Sequence, residues 1–164
     1  MRTVHRRLAF TATSLAALGA VIVPAATSAS ASGAMVTQIA TTTLPSDGTV
    51  IDVGTINSQF SSITIDASGS TTWCNNNPNP ACTSTPAGAD NYSFTLGSGA
   101  PLPGVTVGTL IAKVGVNGQW FVVGDHDTVT STSVADVYVT YDDDVYWDNS
   151  GSYNLTITRV KPAS

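Results

Sequence analysis

Beyond residue 31, no segment of eleven or more residues repeats its apolar positions at helical spacing. Short runs alternate apolar and polar residues instead, and Gly, Pro, Asn or Asp closes each one. A period of two sends successive side chains to opposite faces of a strand. Between Ser62 and Ala67, for example, Ile63, Ile65 and Ala67 fall on one face and Thr64 and Asp66 on the other. The same reading predicts strands at 35–41, 49–53, 62–67, 91–96, 105–115, 120–123, 128–133, 134–141 and 153–158. Asn117-Gly118 predicts a tight hairpin between two of them. Short strands separated by turn signals roughly every 8–12 residues predict an all-β fold, a small antiparallel jelly-roll β-sandwich.

The N-terminus reads differently. Arg2, His5, Arg6 and Arg7 precede a mostly apolar stretch from Leu8 to Val23, and Ala29-Ser30-Ala31 has the small-x-small form of a cleavage site. This predicts a secretory signal peptide over 1–31 and one domain over 32–164, exported from the cell. The apolar stretch stops at Pro24, short of the ~20 residues a membrane span needs. After cleavage Lys113, Arg159 and Lys161 face eleven acids: three cations against eleven anions leave −8. Such a surface has nothing to neutralise phosphates, which argues against a nucleic-acid partner. Every acid is Asp, a turn residue and a hard oxygen ligand. In an exported chain, Cys74 and Cys82 predict a disulfide closing a small loop.

Four of the aspartates fall within Tyr141–Tyr153, which reads Y-D-D-D-V-Y-W-D-N-S-G-S-Y between two predicted strands. Calcium takes ~6–8 oxygens from carboxylates, amides and backbone carbonyls. Asp143 at the exit of one strand, the Val145 carbonyl, and Asp148 and Asn149 before the next form a candidate donor set. Paired strands would hold the two ends together. Adjacent like charges repel, and a cation would relieve that repulsion. An EF-hand is excluded, because its loop closes on a Glu and this chain has none. Trp73, Tyr146 and Trp147 are candidates for an apolar wall beside a ligand, and Asn75 for a hydrogen bond to it.

The run V-Y-V-T-Y-D-D-D-V-Y-W-D-N-S-G-S-Y-N-L-T-I resembles the signature of the PA-IL (LecA-like) calcium-dependent galactophilic lectins. I-T-I-D-A-S-G, P-L-P-G-V-T-V-G-T-L-I-A-K-V-G and W-F-V-V-G resemble the family's upstream strands. The resemblance implies a galactose-binding-domain-like jelly roll that holds one Ca2+, to which two neighbouring sugar hydroxyls bind directly. It implies Asp143, the Val145 carbonyl, Asp148, Asn149 and the Trp73 carbonyl as metal donors. It also implies Trp73, Asn75, Asp143, Asp144, Tyr146 and Asp148 around a galactose-type carbohydrate partner. The family's sugar-contacting His and Gln have no counterpart here, and the Cys74–Cys82 loop stands in their place.

The resulting expectation is a secreted, non-enzymatic lectin. Single lectin sites are weak and gain by multivalency, so the reading leaves room for a homo-oligomer. Two rivals stand beside it. One is a β-sandwich interaction domain whose calcium is purely structural. The other is a hydrolase using Asp and His126, disfavoured because His126 reads as a surface turn and Asp142 and Asp143 as neighbours on opposite strand faces.

Overall fold

The computed structural model describes residues 37–74, 80–89 and 94–161. Two compact units are distinguished, 1–31 and 32–164; the first, with the expected signal peptide, lies outside the described residues. Among the described residues no helix is long and apolar enough to cross a membrane.

The strands are β1 (Thr37–Pro45), β2 (Ile51–Ile56), β3 (Ser62–Ser68), β4 (Thr71–Thr72), β5 (Thr83–Ser84), β6 (Leu110–Val114), β7 (Phe121–Val122), β8 (His126–Thr130), β9 (Ala135–Tyr141) and β10 (Ser150–Val160). Their pairings are antiparallel and form two sheets. One runs β5-β4-β10-β3-β8, with β1 on the other edge of β10; the other runs β2-β9-β6-β7. Setting aside the two-residue β4 and β5, this places β1-β10-β3-β8 opposite β2-β9-β6-β7. The first and last strands are neighbours and most connections cross between sheets, which is the jelly-roll arrangement of two Greek keys.

The period-two pattern explains the core. Ile63 and Ile65 of β3 and Tyr153, Leu155 and Ile157 of β10 point inward from one sheet. Val137, Val139 and Tyr141 of β9 and Leu110 and Ala112 of β6 point inward from the other. Thr64 and Thr128 pair hydroxyls at 2.8 Å on the exposed face of β3 and β8.

Three expectations are corrected. The run 105–115 is a strand only over Leu110–Val114. Gly104 and Gly108 break its first half with φ of 93° and 84°, a region that L-residues avoid. A Cβ at Gly108 would also collide with the Ser84 hydroxyl. The predicted strand 91–96 reduces to an isolated bridge between Thr95 and Thr106, with 91–93 outside the described residues. His126 begins β8 rather than sitting in a turn, and its Nδ1 meets Asp66 Oδ1 at 2.5 Å on the exposed face.

A buried hydroxyl cluster ties the sheets to the 83–88 segment. Tyr153 Oη lies 2.7 Å from both Thr85 O and Gly108 O, which share its one proton. Ser84 Oγ lies 3.1 Å and Thr71 Oγ1 3.2 Å from the same oxygen. The Tyr141 ring, 5.8 Å from that of Tyr153, shares Ser84 and Thr71. Burial pushes the Tyr141 phenol well above its ordinary range.

Candidate functional site

The Asp segment is the crossover from β9 in one sheet to β10 in the other. These strands do not pair, so the expectation that paired strands hold the ends together is wrong. Side chains do that work. Asn149 Nδ2 donates to Asp143 Oδ2 and to Ser46 O, both at 2.9 Å, so one amide joins the segment's two ends and the β1–β2 crossover. Asp143 Oδ1 accepts the backbone N–H of Asp144 at 2.7 Å and of Val145 at 3.2 Å.

Asp143 is 4% exposed, in spite of its charge. Burial raises its pKa, opposed by the Asn149 amide and the two backbone N–H groups. Asp142 is completely buried. Its Oδ1 accepts the Leu102 N–H at 3.0 Å. Its carboxyl is pushed up to about 6, first by burial and then by the charges of Asp143 and Asp144, against the Leu102 bond. The strand has ended at Tyr141, so alternation no longer separates these two side chains into core and solvent.

A cleft of about 190 Å³ opens beside this segment. It is lined by Asp143, Asp144, Val145 and Asp148 from the crossover and by Trp73, Cys74, Phe94 and Val107 from other segments. Two larger surface depressions, at Thr41–Thr43 with Asn154–Thr156 and at Ile56, Asn57, Ser58 and Ser61 with Ser131–Val134, are lined by no titratable group. The cleft beside the Asp segment, in contrast, is lined by three carboxylates. It lies below the ~300–1,000 Å³ of drug-sized pockets, which suits one small ring.

The cleft thus gathers Trp73, Asp143, Val145 and Asp148, and Asn149 is bonded to Asp143. Asn75 lies outside the described residues. Tyr146 is placed elsewhere: its ring covers Gly48, packs against the main core, and its hydroxyl donates to Tyr141 O at 3.4 Å. Burial pushes that phenol up to about 12. Trp147 is 77% exposed and is not among the lining residues. Tyr146 turns inward because Gly48, with φ of 82°, leaves a bare backbone for the ring to cover.

Whether these residues fit the calcium that the resemblance implies is decided by their unpartnered oxygens. Asp148 Oδ1 and Asn149 Oδ1 are both buried without a hydrogen-bond partner. Each such atom costs about 1–3 kcal/mol unless something satisfies it. No group of three His, Cys, Asp or Glu side chains is gathered among the described residues. A set of two carboxylates, an amide and backbone carbonyls does not require one, and hard oxygen donors suit calcium. In donor type, these residues suit the ion.

Phe94, Val107 and Ser46 were not singled out from the sequence. Phe94 sat in a run whose alternation reads as an ordinary strand. In the fold its ring stacks on Trp73, centroids 5.5 Å apart at 24°. Trp73 and Ala89 rest on a small apolar cluster of Leu96, Ala100 and Val107. The Cys74–Cys82 disulfide, Cα–Cα 5.7 Å, closes its loop beside Trp73, whose backbone N–H donates to Cys82 O at 2.9 Å while its indole Nε1 is buried without a partner.

No protein-family model matches the sequence, and no curated protein matches it. Among solved structures the chain is similar to the EclA N-terminal domain, described as a PllA-like lectin. The identity is 21% and the TM-score 0.45, over 73% of this chain and 94% of that one.

Proposed function

We propose that the chain is a secreted, calcium-dependent carbohydrate-binding protein that takes a galactose-type sugar in the cleft between the β9–β10 crossover and Trp73. The observation that carries this is the pair of buried, unpartnered oxygens on Asp148 and Asn149, next to buried Asp143. Asp143, Asp148, Asn149 and the carbonyls of Val145 and Trp73 would hold the ion. When bound, calcium supplies a positive centre with positions left for two neighbouring hydroxyls. Asp144, exposed on the rim, offers an acceptor to a further hydroxyl.

The reading is of a binder, not a hydrolase. His126 is engaged with Asp66 on the outer strand β8 and does not line the cleft. Glycan binding measured with calcium and again with a chelator tests the proposal. Binding that survives chelation rejects the metal's role, and no binding to any glycan rejects the function.

A second reading has the ion serve stability alone. It is favoured by the Asn149 amide, which already links Asp143 to Ser46 and so joins two crossovers. In that case calcium raises the melting temperature and no glycan binds.

A further inference from the structure

The cleft is lined by two kinds of side chain: the carboxylates of Asp143, Asp144 and Asp148, and the stacked rings of Trp73 and Phe94. Phe94 is 51% exposed, although a buried apolar cluster lies directly beneath its partner ring. Leaving half a phenyl ring in water forgoes burial that a core position would give. The Phe94 ring stacks on that of Trp73, which packs on the Leu96, Ala100 and Val107 cluster and whose backbone N–H donates to Cys82 O. The platform is thus fixed before any ligand arrives, and a rigid surface loses little freedom on binding.

We propose that Phe94, together with Trp73, is the specificity-determining platform of this site, and that it selects pyranoses with a continuous C–H face. The inference rests on the carbohydrate-binding reading above and adds the part that tells sugars apart. A ring held by hydroxyls at the carboxylates turns another face to the aromatic rings. In the galacto configuration the C–H bonds at C3, C4 and C5 project on one face and make a contiguous apolar patch. In the gluco configuration the C4 hydrogen moves to the opposite face and the patch is broken. Flat aromatic surface therefore favours the first, through dispersion and the attraction of polarised C–H to the negative ring face. At about 190 Å³ the cleft admits one such ring, so the choice is made on a single residue of a glycan.

The test compares wild type with Phe94→Leu, which keeps apolar volume and removes the ring. Both are titrated with calcium alone, then in calcium with methyl β-galactoside and with methyl β-glucoside. The expected result is unchanged calcium affinity and a melting temperature lower by a few degrees, about 2–6 °C, from the lost stack in Phe94→Leu, with galactoside binding weakened roughly 3- to 10-fold and the preference over glucoside lost. Phe94→Tyr, which restores the ring, should return both. Wild-type affinity and preference in Phe94→Leu would overturn the platform while leaving the lectin reading intact, and so would a wild type that prefers the glucoside. A wild type that binds calcium and neither sugar would instead overturn the function and the platform with it.

Discussion

Asn149→Ala isolates the residue on which the metal reading turns. In the metal-free protein the substitution removes two hydrogen bonds, to Asp143 Oδ2 and to Ser46 O. Bonds of these kinds are worth about 1.5–3 and about 0.5–1.5 kcal/mol. It also removes the unpartnered Oδ1, recovering about 1–3 kcal/mol. The net loss is therefore small, about 1 kcal/mol. With calcium the balance differs. At a calcium concentration 100 times Kd, the ion stabilises the wild type by about 2.7 kcal/mol. For a domain of this size that is roughly 10 °C in melting temperature. Loss of one donor should weaken the ion at least ~100-fold, because even groups that only orient metal ligands are worth 10–100-fold. At the same calcium concentration the increment then falls to about 0.4 kcal/mol, or 1–2 °C. Calorimetric melts of both proteins in EGTA and in calcium measure this directly. A wild type that melts at one temperature in both buffers, or an Asn149→Ala variant that keeps the full increment, refutes the assignment of these oxygens to a cation.

Two further predictions concern the scaffold around the site. Tyr153→Phe leaves Thr85 O and Gly108 O without the hydroxyl that serves them; it should cost about 1–3 kcal/mol, seen as a lower urea midpoint with unchanged slope, and the calcium increment should remain. Asp142 titrates near 6 in the fold against 3.8 in the open chain, so the folded state holds this proton more tightly. Its contribution is fully present below pH 3.8 and is lost as pH rises through 6, by roughly 3 kcal/mol. Denaturation of chelated wild type across pH 4–6.5 should show that decline, and Asp142→Asn should flatten it; equal slopes would remove Asp142 as its source.

Much of the fold was legible in the residues because a half-buried strand writes its period into the chain. Ile63 and Ile65, Val137 and Val139, and Tyr153, Leu155 and Ile157 are the core in both readings. The pattern failed where glycines override it: Val105–Val107 is apolar enough for a strand, yet Gly104 and Gly108 turn the chain through left-handed backbone. The donor candidates were legible for a simpler reason. Asp, Asn and a short loop are local facts, and the structure sets Asp143, Val145 and Asp148 around one cleft.

What lies across the sandwich could not be read this way. Nothing near residue 146 says that its ring will settle on Gly48 rather than face a ligand, since that partner is ninety-eight positions away. Nothing near Phe94 says that it will stack on Trp73 and stand half in solvent. The sequence alone determined an all-β chain, its strand faces and an oxygen-rich loop, because alternation and donor type are properties of neighbours. Only the tertiary structure decided which crossovers meet and which side chains are stranded without partners. Strands distant in sequence become adjacent through their hydrogen-bonded edges, and burial is a property of the assembled whole.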